Sequence, residues 1–210
     1  MKNRTIAAGV ALATSVALVG TAAPASAADD LAAKPGSRSL AKVLAADGTA
    51  TDRNWQDFDL VEKAALAVLA ADPDSPVGLL TQGDKRATAF VPTDAAFRAL
   101  VHDLKGFAPK NEKKTFKQVA KLGVDTIETV LLYHVVAGKT LTSRKVLATE
   151  GAKITTAQGG KIKVRVVKGK VTLVDADKND RNPRVIVFDI NKGNKQVAHG
   201  IDRVLRPVDL

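Results

Sequence analysis

The sequence predicts an α+β fold, with helices packed on a wedge of mostly antiparallel β-strands. Three observations carry that expectation. Apolar residues recur at helical spacing between residues 57 and 134, and strict period-two alternation takes over from residue 161. No strand–helix alternation of the kind that builds a parallel sheet is present, and no internal repeat is visible.

Residues 1–27 read as a signal peptide. Lys2 and Arg4 form a positive start, Ile6 to Val19 is apolar, and Ala25-Ser26-Ala27 is a small-residue cleavage site. The apolar stretch is too short to span a bilayer. The Ala-rich leader has a bacterial character, and a secreted, extracellular product starting at Ala28 is expected. The chain has no cysteine, which excludes disulfides and a lipid-modified cysteine anchor. Residues 28–56 read as an N-terminal arm, partly disordered. Lys34-Pro-Gly-Ser-Arg38 and Asp47-Gly-Thr-Ala-Thr51 are breaker clusters, and Ser39 to Leu44 offers a helical turn or two.

The domain proper is expected over 57–210. Phe58, Val61, Ala65 and Leu69 predict a helix that ends before Pro73, and Leu79-Leu80 a short second one. Phe90 and Val91 belong to a strand that Pro92 stops, because proline has no N–H to donate. Thr93 then caps a helix whose first turn holds Asp94, and Phe97, Leu100, Val101 and Leu104 form its buried stripe. Asn111 caps a basic helix with Lys114, Lys117 and Lys121 on one face and Lys113 close by. Asp125 and Glu128 have the spacing of a capping box for the next helix, where Ile127, Val130, Leu131 and His134 share a face.

In the second half Ile162, Val164 and Val166 alternate with Lys161, Lys163 and Arg165, so one strand face is apolar and the other carries three positive charges. Lys168-Gly-Lys170 turns into Val171 to Val174, Gly159-Gly160 marks a tight turn, and Val185 to Ile190, apolar on both faces, reads as a central strand. Asn191 to Lys195 turns into a closing strand.

The segment Thr88-Ala-Phe-Val-Pro-Thr-Asp-Ala-Ala-Phe97, the later Tyr133-His134 and the closing His199-Gly-Ile-Asp-Arg-Val-Leu205 resemble, in that order, the signature segments of the fasciclin family. Gly200 stands where the family usually has a β-branched residue. The resemblance runs from about Asp57 to Pro207. It implies a single fasciclin-like module, secreted or surface-held, that serves interaction and adhesion without known catalysis. Phe90, Pro92, Thr93, Asp94, Phe97, His134, His199, Ile201 and Asp202 match the signature and read as structural. In animal matrix relatives the Tyr-His segment is implicated in receptor binding, which nominates Tyr133 and His134 as interaction residues. The other reading of His134 is a buried residue that hydrogen-bonds near the Thr93-Asp94 cap and ties the signature segments together.

No catalytic, cofactor or metal site is expected. Three histidines, no cysteine cluster and no His-Glu-x-x-His exclude the usual transition-metal patterns. Asp175, Asp177 and Asn179 echo a calcium loop, but Asp180 replaces its glycine and Ile186 its closing glutamate, so a polar loop is expected. The pair Asp72 and Asp74 flanks Pro73 and reads as turn-forming. No serine lies in a nucleophile context. An aromatic content of 4% makes nucleic acid a poor partner, since single-strand binding needs stacking platforms.

Net charge points to a partner class instead. The whole chain carries +10, and without Lys2 and Arg4 of the leader it carries +8. An extracellular protein or an anionic surface polymer is the expected partner, met by Lys161, Lys163 and Arg165 with Lys168 and Lys170 at the adjoining turn. The competing view of these residues is a solvated sheet face kept basic against edge pairing. Some fasciclin-like proteins of algae bind carotenoids, so the resemblance also implies an alternative, a carrier of a small apolar ligand such as a carotenoid or lipid.

Overall fold

The computed structural model describes residues 34–48 and 52–209; the expected signal peptide (1–27) and residues 28–33 of the expected arm lie outside them. The fold is α+β. Two strands from opposite ends of the domain form its centre. β1 (Ala87–Pro92) and β7 (Gln196–Ile201) run parallel, and every residue of both is buried. β2 (Val135–Ala137) flanks β1 and β6 (Val185–Ile190) flanks β7, both antiparallel, giving the order β2-β1-β7-β6. A second sheet is the antiparallel meander β3 (Lys153–Thr155), β4 (Lys161–Val167) and β5 (Lys170–Val174).

Because side chains alternate along a strand, β1 feeds two cores. Ala89 and Val91 face the helices, where Leu60, Val68, Phe97, Leu100, Ile127 and Leu131 pack. Phe90 faces the second sheet and joins Tyr133, Ile162, Val164, Leu173 and Ile201. The helices are α2 (Asp59–Ala71), α3 (Asp94–Lys105), α4 (Glu112–Val119) and α5 (Val124–Tyr133). A five-residue helix, α6 (Ser143–Leu147), connects β2 to the second sheet and is capped by Asp189, whose carboxylate accepts from the Ser143 N–H and hydroxyl at 2.6 and 2.7 Å. Pro92 ends β1 as expected, and Thr93 caps α3 by accepting from Ala96 N–H at 3.3 Å. Leu79 and Leu80 lie in a 3-10 turn, Pro76–Thr81.

Three local expectations need revision. Val185 to Ile190 is an edge strand, with Ile186 46% and Val187 41% exposed. The inconspicuous β7, holding Ala198 and Gly200, takes the centre because it pairs on both sides. A Cβ at Gly200 would sit 3.1 Å from Phe58 Cζ and Val187 Cβ, which is why a β-branched residue is absent there. Secondly, Asp125 does not cap α5. Gly123, at φ 86°, ends the preceding turn and starts the helix itself, and Glu128 accepts from the Ser75 hydroxyl instead. Asp94 lies in the first turn of α3 as expected, and it also accepts from Leu60 N–H of α2 at 2.9 Å. Lastly, residues 34–48, counted in the arm, pack on the body. Leu40, in the short helix α1 (Leu40–Leu44), is fully buried, and its N–H donates to Gln196 Oε1 at 2.7 Å. The Gln196 amide in turn donates to the Leu79 and Gln82 carbonyls, so one buried side chain holds three segments together.

Candidate functional site

The exposed face of the β3–β5 sheet brings the expected cations together. Lys161, Lys163 and Arg165 are exposed on β4, while Ile162 and Val164 beneath them are fully buried. Lys168 (φ 50°) and Gly169 (φ 74°) form the hairpin turn, a left-handed pair whose twist suits two antiparallel strands, and Lys170 follows it. Register adds a residue that sequence reading missed. Lys153 lies directly opposite Lys163, so two like charges face one another across the ladder. The signal was present as the alternation Lys153-Ile154-Thr155 ahead of the Gly159-Gly160 turn. Among the described residues, no ion pair within 4.0 Å involves Lys153, Lys161, Lys163, Arg165, Lys168 or Lys170.

A second basic region lies on α4 and the 3-10 turn that follows it, Ala120–Leu122. Lys114, Lys117 and Lys121 do share a face, and with Lys110 and the half-exposed ring of Phe107 they line an open groove of about 570 Å³. The two regions differ in support, since the sheet face is backed by a packed core and the groove by a single helix flank.

Tyr133 and His134 are buried, at 1% and 4% exposure, and present nothing to a partner directly. Tyr133 underlies the basic face. Its hydroxyl donates to the Lys161 carbonyl at 3.0 Å, and its ring lies against Gly160, where a Cβ would come within 2.8 Å of it. Burial pushes the phenol up to about 12, so it remains a donor. His134 is a bridge, but to a different place from the one expected. Nδ1–H donates to the Val130 carbonyl at 2.7 Å, and Nε2 accepts from Leu205 N–H at 2.9 Å. It therefore ties α5 to the C-terminal segment and not to the Thr93-Asp94 cap. Burial holds the imidazole down at about 4, so it is neutral in the tautomer these partners require.

His199 is built the same way: Nε2–H donates to the Leu141 carbonyl at 2.7 Å and Nδ1 accepts from Asp189 N–H at 3.3 Å, between the rings of Phe90 and Phe188. Burial lowers its pKa too. Phe90 and Ile201 are core, Phe97 packs under the helices, and Asp202 holds the start of β6 by accepting from Arg184 N–H at 2.7 Å and from Arg181 at 2.8 Å.

The calcium-like loop is occupied by arginine. Arg206, almost completely buried, pairs with Asp177 at 3.0 Å, Asp103 at 2.9 Å and Asp180 at 3.1 Å, and Arg203 pairs with Asp103 at 2.8 Å. Asp72 makes a turn as expected, accepting from Asp74 N–H at 3.0 Å. An apolar cavity of about 100 Å³ lies between α1, α2, the Pro76–Thr81 turn and β1, walled by Leu44, Val61, Leu69, Leu80, Val91 and Leu131. No helix of the described residues is long and apolar enough to cross a membrane.

The solved FAS1 domain pair from the insect cell adhesion molecule Fasciclin I is 19% identical and superposes with a TM-score of 0.49. The aligned region covers 70% of this chain and 45% of that one, so the present chain matches less than half the length of its structural relative. No curated protein sequence matches significantly. The fasciclin domain model matches residues 63–207, which span all three signature segments, and the chain belongs to the fasciclin domain family.

Proposed function

We propose that this fasciclin module is a secreted, non-enzymatic interaction protein that binds an anionic surface polymer, or an acidic patch of an extracellular protein, through the β3–β5 face. One observation carries the reading: six cations crowd one sheet and its hairpin turn, two of them directly opposed, and none forms an ion pair among the described residues. Like charges facing across a ladder destabilise a sheet, so the fold gains nothing from this arrangement. A partner that neutralises it gains the electrostatic energy the fold forgoes. The adhesion-related character of the family agrees with a binding role in adhesion or cell-surface organisation.

The test is retention on a sulfated polymer. Binding should weaken as salt rises, because screening acts over about 10 Å at 0.1 M ionic strength. Replacing Lys161, Lys163 and Arg165 together by Glu should remove more binding than the same change at Lys114, Lys117 and Lys121. Equal losses would assign the effect to net charge and reject a dedicated face.

The apolar cavity supports a second reading, a carrier of a small apolar ligand. Its volume, about 100 Å³, bounds the cargo. A cavity of roughly 150 Å³ holds a benzene-sized molecule, and drug-sized ligands need about 300 Å³ or more. That size suits the end of an alkyl chain better than a whole carotenoid. Solvent extraction of purified protein followed by mass spectrometry tests it; coloured or long-chain extract bound one to one would displace the polymer reading.

A further inference from the structure

Three helices begin with an acid, and the three acids meet. Asp59 opens α2, Asp94 opens α3 and Glu112 opens α4. All are buried, and one carboxylate oxygen from each lies within 4.8 Å of the other two. A helix N-terminus favours a nearby acid through roughly half a positive charge. That accounts for each placement but leaves the hydrogen bonding incomplete. Asp94 Oδ1 accepts from Leu60 N–H at 2.9 Å, and Glu112 Oε2 from Asp52 N–H at 2.6 Å. Among the described residues Asp94 Oδ2 and Glu112 Oε1 have no hydrogen-bond partner, although both side chains are fully buried. Buried polar oxygens are almost always satisfied, and two bare ones in one carboxylate cluster call for an occupant.

Neighbouring charges deepen the deficit. Asp52 and Asp57 lie within the same reach of Asp59, and Lys63 stands 4.0 Å from it as a partial counterweight. Burial drives the Asp94 carboxyl up to about 8 and raises that of Glu112, with Asp57 and Asp59 adding repulsion to both. Concentrated acid in a chain of net charge +10 has no use in general solubility.

The geometry points to a binding site for one hard divalent cation, calcium, held by Asp59, Asp94 and Glu112, with Asp52 and Asp57 on its approach from solvent. An all-oxygen, carboxylate-rich set selects a hard cation. Oxygens at about 2.4 Å from calcium stand up to about 4.8 Å apart across the ion, which matches the reach of the cluster. The ion ties the 52–57 segment to the starts of three helices, and the exposed Asp52 gives it a path inward.

The site has its own reporter. Trp55 is the single tryptophan of the chain, and its carbonyl accepts from Ala95 N–H at 2.9 Å, next to Asp94. Terbium added to chelator-treated full-length protein should show saturable luminescence sensitised through Trp55, displaced by calcium and much less by magnesium. The melting temperature should rise in roughly 1 mM calcium, the range of extracellular calcium modules. Asp94→Asn keeps the acceptor for Leu60, and Glu112→Gln keeps the one for Asp52. Each should retain the native circular dichroism spectrum and lose about tenfold or more in terbium affinity. Absence of both sensitised emission and a calcium-dependent melting shift in the parent protein overturns the site, as does unchanged terbium affinity in both variants. Melting temperatures that rise in both variants, with no calcium response in the parent, assign the gap to a proton shared by Asp94 and Glu112 and likewise reject the metal.

Discussion

Positive charge is used in two opposite ways in this molecule. Around Arg206 three arginines meet four aspartates, and each guanidinium finds a carboxylate within 3.0 Å. On the β3–β5 face, lysines and one arginine stand together and, among the described residues, find none within 4.0 Å. The first group closes the end of the domain by tying the 177–180 loop and α3 to the C-terminal segment. The second is carried by a packed sheet and contributes nothing to it. Cations that hold a fold are recognised by their partners, and cations available for binding by the lack of them.

Removing Arg206 should have the largest effect. Arg206→Ala strands Asp177, whose side chain is 1% exposed, and should cost about 3–5 kcal/mol in urea unfolding. A loss below about 1 kcal/mol would erase the distinction between the two groups.

His134 sits on the structural side of the comparison, and pH tests it. Its folded pKa of about 4 lies below the unfolded value of 6.5, so between these the unfolded chain binds the extra proton. Stability from this group is therefore complete above about pH 6.5 and is lost as pH falls towards 4, by about 3 kcal/mol. Asp94 and Asp175, raised by burial to about 8 and about 6, act in the opposite sense. The histidine's share is thus the difference between parent and His134→Gln, and an identical pH profile in the two would refute it. At neutral pH His134→Ala should cost about 1–3 kcal/mol by leaving Leu205 N–H without its acceptor.

Lys153 sharpens the other side. Lys153→Thr relieves its opposition to Lys163 and should raise stability by about 0.2–1 kcal/mol while weakening polymer binding. A variant that loses both would show that this lysine is structural. The smallest effect is expected from Lys161→Ala, within about 0.5 kcal/mol in stability, since its side chain is exposed and unpaired.

The sequence was most legible where structure is local. The alternation from Lys161 to Val167, the Thr93 cap and the Asn111 cap depend on neighbours a few residues away, and each has the expected form. Where the partner is distant, pattern could not supply it. Val185 to Ile190 is apolar enough for a central strand, but strand order follows from the pairing of β7 with β1, which no local pattern encodes. Lys153 acquired its meaning through register, and His134 its acceptor role from a residue 71 positions on. The acids at Asp59, Asp94 and Glu112 form no motif because three separate helix starts deliver them to one point.

The parallel pairing of β1 with β7 also fixes an order of assembly. The strand that both β1 and β6 require begins at Gln196, and the same glutamine anchors α1 near the other end of the domain. A chain emerging from its N-terminus can form helices early, but its central sheet waits for nearly the last residues of the matched domain. Such non-local closure is slow. Until it occurs, β1 has an open edge, exposed to whatever else offers a strand. A truncation just before Gln196 should therefore yield an aggregating chain, not a smaller folded one.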